Sequence, residues 1–153
     1  MSIPQVHIIS ITRPITATGK IFQGDYAQAP KYISQIQQEL EREGVSFLPN
    51  KVMGVYYDNP QETKTEDLKS FQGVFTGDEK HKAGSSLTSL SLSGNYLYVK
   101  VSGDPLKSIY EGYGALFAYI QENNIILKSP AGYQVSTFEN EVITTEIYME
   151  LAD

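Results

Sequence analysis

The closing run TTEIYMEL sets a carboxylate and a phenol two residues apart, Glu146 and Tyr148. In an extended strand, residues two apart share a face. Glu146 and Tyr148 therefore point one way, and Ile147 and Met149 the other. A carboxylate beside an aromatic ring suits a cation, which gains an opposite charge and a π face to lie on. The same pair suits hydrolysis if an apolar surrounding raises the pKa of a carboxyl group, either Glu146 or the nearby Glu139, to that of a general acid or base. Tyr110 and Tyr113 on a helical stripe, and Tyr56 in the stretch GVYYDNPQET, add three rings with polar tips. The plain alternatives are an outward-facing pair for Glu146 and Tyr148, and core packing for Tyr110 and Tyr113.

Other chemistries lack their residues. With no cysteine there is no disulfide, no thiolate ligand and no cysteine nucleophile. His7 falls in a strand and His81 in a charged loop, a pair from which no Ser/His/Asp arrangement can be built. Asp78, Glu79 and His81 read as solvated loop charges in preference to a metal clip, and SSLTSLSLSG lacks the lysine and spacing of a phosphate loop. No metal and no cofactor is expected. Twelve basic residues against eighteen acidic ones give a net charge of -6 with the lysines scattered, which argues against direct binding to a phosphate backbone. No apolar run approaches the ~20 residues that span a bilayer. The start, MSIPQVHIISI, lacks the basic and apolar regions of a secretory signal, so the expected location is the cytoplasm.

The elements that would position these residues follow from periodicity. A chain of 153 residues is expected to form one domain. QVHIISI is a β-branched run that ends at Arg13-Pro14, where proline restricts the residue before it, and a short extended piece follows around Gly19 to Phe22. From Tyr26 the residues Ala29, Ile33, Ile36 and Leu40 recur at helical spacing, with Pro30 in the first turn and Gly44 as the C-cap. MGVYYDNP is a strand that stops at an Asn-Pro turn. Alternation there groups Val55 with Tyr57 as the core face and turns Tyr56 toward a groove. QETKTEDLK is a loop or one helical turn, and FQGVFTG is the second strand of a hairpin. Residues 77 to 94, rich in Gly and Ser, read as a linker, with part of a strand as the alternative.

The order then recurs. NYLYVKVSG alternates, with Tyr96, Tyr98 and Lys100 on one face and Leu97, Val99 and Val101 on the other. Asp104-Pro105 is an N-cap followed by a first-position proline, opening a helix with Leu106, Ile109, Tyr110, Tyr113, Phe117 and Ile120 along one stripe. Ser108, Gly112, Ala115 and Ala118 form a small-residue stripe beside it. IILKSPAGYQVSTFE and TTEIYMEL supply two more strands. The expected fold class is α+β: a duplicated strand-helix-strand-strand unit, residues 5 to 76 and 95 to 151, whose antiparallel sheet carries two amphipathic helices and a groove between the repeats.

The phrase GVYYDNPQETKTEDLKSFQGVF resembles the signature of the gyrase-inhibitor-like (GyrI-like) domain, the effector-binding domain of AraC-type and MerR-type bacterial transcription regulators. Gly54, Tyr56, Asp58, Pro60, Glu62, Thr63 and Leu68 fall on its pattern. LKSIYEGYGALFAYIQENN is similar to the family's second helix, and TTEIYMEL to its closing strand. The resemblance implies a small molecule, often cationic and aromatic, held between the repeats, and it makes multidrug binding an expected property. With no residues left over for a helix-turn-helix, a stand-alone member is expected, and the faces and spacing described above make Tyr56, Tyr110, Tyr113, Glu146 and Tyr148 the ligand-binding candidates. It also admits a hydrolase using a Glu/Tyr pair on the same scaffold, and a modulator of a protein partner such as gyrase. In many relatives a strand of the second repeat carries a glutamate, then a hydrophobic residue and tyrosine, and that glutamate faces the ligand. Here the run is YQVSTFEN, with Ser136 or its neighbour at that place.

Overall fold

The computed structural model describes residues 3–77 and 86–153; Asp78, Glu79 and His81 lie outside them. The chain runs through β1 (His7–Gln23), α1 (Ala29–Glu43), β2 (Lys51–Tyr56), β3 (Lys69–Val74), β4 (Thr88–Ser102), α2 (Pro105–Glu122), β5 (Gly132–Glu139) and β6 (Val142–Glu150), with single 3-10 turns before α1 and before β3. All the strand pairings are antiparallel, and the order β1-β3-β2-β5-β6-β4 closes on itself because β4 also pairs with β1. The sheet is thus a six-stranded barrel, a closure that the expected antiparallel sheet with two helices packed on it did not specify.

Two boundaries differ from the sequence reading. Arg13-Pro14 does not end the first strand. The β1–β4 register passes from Ile11↔Gly94 to Ile15↔Leu92, so a bulge takes up the extra residues of β1. Proline has no N–H to give the ladder, and a bulge is where a strand tolerates it. The Gly/Ser-rich segment expected as a linker up to residue 94 is strand from Thr88 onward. Its Leu90 and Leu92 face the barrel interior, and Ser91 meets Thr16 across the ladder with their hydroxyls 2.7 Å apart.

Both faces of the sheet are covered in places, and this creates two kinds of core. Inside the barrel, Ala17, Met53, Val55, Phe71, Leu92, Tyr96, Val135 and Tyr148 pack together. Outside it, α2 closes over Leu97, Val99, Val101, Ile147 and Met149, while α1 seats Ile36 and Leu40 against Val74 and Leu87. The α2 helix starts as its sequence demands: the Asp104 carboxylate accepts the Leu106 N–H at 3.2 Å, and Pro105 occupies the first turn. Asp104→Ala should destabilise the fold by about 1 kcal/mol, the usual cost of losing an N-cap, read as a lower midpoint in chemical denaturation. At the far end of the sheet, Asn140 and Glu141 both take positive φ (51° and 64°) and join β5 to β6 in a two-residue hairpin loop.

The buried side of α2 takes only part of the expected stripe: Ile109, Tyr113 and Ile120 pack against the sheet core. Ser108, Gly112 and Leu116 are buried, whereas Leu106, Tyr110 and Phe117 are 90, 81 and 50% exposed. Small side chains let the helix axis approach the sheet: a Cβ on Gly112 would come 2.8 Å from Ile147 Cδ1. Leu106, Tyr110 and Phe117 stay out of this contact.

Candidate functional site

α1 lies over β3 and β1, and α2 over β4 and β6. The two middle strands, β2 and β5, therefore run between the helices. Their inward residues, Met53, Val55 and Val135, belong to the barrel core, so alternation turns Gly54, Tyr56 and Gln134 outward. The register aligns Gln72, Gly54 and Gln134 in one row across β3, β2 and β5, and Ser70, Tyr56 and Gly132 in the next.

Glycine in these rows leaves bare backbone, and two tyrosines lie on it. The Tyr56 ring folds back over Gly54, where an added Cβ would stand 2.7 Å from the Tyr56 hydroxyl. Tyr113 descends from α2 onto Gly132, with its hydroxyl where a Cβ would be. Each phenol meets a glutamine. Gln134 Nε2 donates to Tyr113 Oη at 2.8 Å, and the Gln72 side chain hydrogen-bonds Tyr56. Gln72 is itself buried and donates to Ser70 Oγ at 3.0 Å. Tyr26 completes the α1 side, its ring edge-on to Tyr56 with centroids 4.8 Å apart. The Tyr26 hydroxyl donates to Lys69 O at 2.9 Å and accepts the Asp58 N–H at 3.0 Å, tying the end of β2 to β3.

This floor is uncharged. Burial pushes the Tyr113 phenol up to about 12, with the Gln134 hydrogen bond opposing and the Tyr56 and Tyr26 phenols adding to the shift. Burial also raises Tyr56 against the hydrogen bond from Gln72. Both hydroxyls stay protonated at neutral pH. Leu106, Tyr110 and Phe117 stand at helical spacings of four, three and four with Tyr113, so the exposed apolar flank of α2 is the one turned toward β5. Tyr113 and Phe117 stack at 6.0 Å. The strip of sheet between the two helices thus carries aromatic side chains beside amide and phenol groups.

The family model of the GyrI-like small molecule binding domain matches residues 4–152. The chain belongs to this family. Among solved structures, the C-terminal domain of EcmrR aligns with a TM-score of 0.73 at 18% identity over 99% of each chain. In the EcmrR–DNA complex the match, at TM-score 0.72 and 18% identity, covers 99% of this chain and 58% of that one. SAV2435 bound to tetraphenylphosphonium aligns at TM-score 0.53 and 17% identity over 97% of this chain and 93% of its own. At these identities the likeness establishes the fold. No curated protein matches the chain by sequence. Among the described residues, no helix is long and apolar enough to cross a membrane.

This GyrI-like domain separates the candidates read from sequence into two places. Tyr56 and Tyr113 lie over the glycines of β2 and β5 between the helices, and Tyr110 is exposed on α2. Glu146 and Tyr148, expected on the groove face, point into the barrel instead, where Tyr148 is part of the core and its hydroxyl lies 3.3 Å from the Glu146 carboxylate. The reason is that β6 is covered on both faces, and its Ile147 and Met149 are claimed by α2. Glu139 stands at the barrel mouth, beside the β5–β6 hairpin. Ser136 is engaged with Thr145, oxygen to oxygen at 3.0 Å. The residue of YQVSTFEN that reaches Tyr113 is Gln134. Sequence reasoning missed Gln72, Gln134 and Tyr26. The signal that pointed to them was weak: Gly54 and Gly132 inside strands, the mark of something lying close on the backbone.

Proposed function

We propose that this domain binds a small, planar, uncharged aromatic molecule in the cleft between α1 and α2, as the effector-binding part of a regulatory or sequestering system. The observation that carries the reading is the pair of tyrosines resting on bare glycine backbone, each hydrogen-bonded to a glutamine. Glycine backbone lies beneath the tips of both rings, and a swing of either ring would leave a flat, polar-edged floor on which an aromatic ligand stacks. The floor has amide donors and acceptors and no charge, which favours neutral ligands over the cations weighed at the level of sequence. Glu146 and Glu139 lie away from this cleft, which favours binding over Glu/Tyr hydrolysis there.

The recurrence of strand-helix-strand-strand supports reading residues 5 to 76 and 95 to 151 as a duplicated unit in one domain. The strand order β1-β3-β2 mirrors β4-β6-β5, and the cleft then lies on the seam. A thermal-shift screen with matched pairs of neutral and cationic aromatic compounds tests the function. A ligand present at about 100 times its dissociation constant adds ~2.7 kcal/mol of stability. Neutral members should raise the midpoint, and the effect should be flat between about pH 6 and pH 9 because the floor carries no group that titrates there. Shifts from cationic members alone would overturn the ligand class. No shift that Tyr113→Ala removes would overturn the cleft.

A further inference from the structure

The barrel interior carries a carboxylate that the cleft does not use. Glu146 Oε2 accepts the Tyr98 hydroxyl at 2.8 Å and the Tyr148 hydroxyl at 3.3 Å. Tyr98 and Tyr148 stand 5.1 Å apart, and Tyr96 meets Tyr148 edge-on at 5.9 Å, so the carboxylate sits on a bed of aromatic rings. A cavity of about 180 Å³ opens above it, lined by Lys100, Thr137, Glu139, Thr144 and Glu146. The ion pairs among the described residues are Lys20–Glu39 and Lys128–Glu150, and neither involves Glu146. Lys100 is opposite Glu146 in the β4–β6 register yet is exposed. Lys51, opposite Thr137, holds its ammonium over the Phe75 ring at 4.9 Å.

We propose that this barrel mouth is a second binding site, for a small organic ammonium ion. Two phenols already donate to one oxygen of Glu146, so the group can only accept there, and the two carboxylates of the cavity, Glu139 and Glu146, outnumber its one lysine, Lys100, so that a cation fits the remaining charge. The threonine hydroxyls offer further acceptors for ammonium hydrogens, and the tyrosine rings a π surface. Burial raises both phenols, and the adjacent carboxylate adds to this, which keeps them as donors. The cavity is smaller than the roughly 300–1,000 Å³ of drug-sized pockets. A short alkylammonium fits that space and a bulky aryl cation does not. The site is independent of the cleft, since Glu146 and Tyr113 project from opposite faces of the sheet.

The test is an NMR titration of the full chain with n-butylammonium, n-butanol and tetraphenylphosphonium, following Thr137, Thr144 and the Tyr98 and Tyr148 rings. The proposal expects saturable shifts with n-butylammonium only. Glu146→Gln, which keeps an oxygen for the two phenols, should weaken binding by about tenfold. If that variant loses its dispersed spectrum, Thr144→Lys serves instead: a tethered ammonium should occupy the mouth and abolish the titration. Tyr113→Ala should leave the affinity unchanged, which separates failure here from failure of the cleft. Equal shifts with n-butanol, no saturation, or unaltered affinity in Glu146→Gln or Thr144→Lys would overturn the site.

Discussion

Gly19→Ala should cost the fold about 3 kcal/mol or more, the largest loss expected of any single methyl group added to this protein. Gly19 of β1 lies opposite Gly73 of β3. A Cβ on Gly19 would collide with the carbonyl oxygen of Gln72 and come 2.6 Å from the Gly73 Cα. Both obstacles are backbone, so no rotamer change relieves them. The strands must part, and the pairing from Thr18↔Val74 to Gln23↔Lys69 is one of the six seams that close the barrel. Gly54→Ala and Gly132→Ala differ in kind, because there the new methyl meets the tip of a tyrosine that can swing away. Chemical denaturation decides: Gly19→Ala should lower the midpoint far more than Gly132→Ala. A change within about 0.5 kcal/mol of the parent would mean that the two strands do not approach so closely.

What could be read from sequence was local. Asp104-Pro105 and the Gly44 cap announce their helix ends, and Gly44 takes the left-handed φ of 75° that a C-cap needs. Alternation placed Val55 inward and Tyr56 outward correctly, since a strand has only two faces. Closure was not legible, because it rests on contacts such as Ser10 Oγ to Asn95 Oδ1, 85 residues apart, that no local pattern encodes. For the same reason Glu146 and Tyr148 were known to share a face, but which face was not. An apolar stripe on α2 was visible, yet periodicity cannot say which of its members meet the sheet: Ile109, Tyr113 and Ile120 do, with the small Ser108 and Gly112 beside them, while Leu106, Tyr110 and Phe117 do not. Pro14 read as a strand end because a bulge leaves no mark other than the proline itself. Gln72 and Gln134 had no signal of their own. Polar residues in strands are commonplace, and theirs became informative only once the register set them on either side of Gly54.

Gln134→Glu should invert the ligand preference of the cleft. At present Gln134 Nε2 donates to Tyr113 Oη at 2.8 Å, and every group on the floor is neutral. A carboxylate of nearly the same shape reverses that hydrogen bond, with the Tyr113 hydroxyl donating to oxygen, so the geometry survives while a negative charge enters a partly desolvated place. A neutral ligand then loses the amide donor and faces a charge it cannot pair. A cationic aromatic ligand gains an ion pair beside a π surface, an exchange we expect to be worth about tenfold in affinity, or ~1.4 kcal/mol, in each direction. The comparison is made by calorimetric titration of both proteins with one neutral ligand and its cationic counterpart of the same shape. Tyr113→Phe serves as control: it removes the hydroxyl without adding charge and should weaken neutral ligands while leaving cations no better bound. If Gln134→Glu changes neither affinity, ligands do not touch this end of the cleft, and the contact must be sought along the α2 flank at Tyr110 and Phe117, where the same titration can be repeated with alanine in their place.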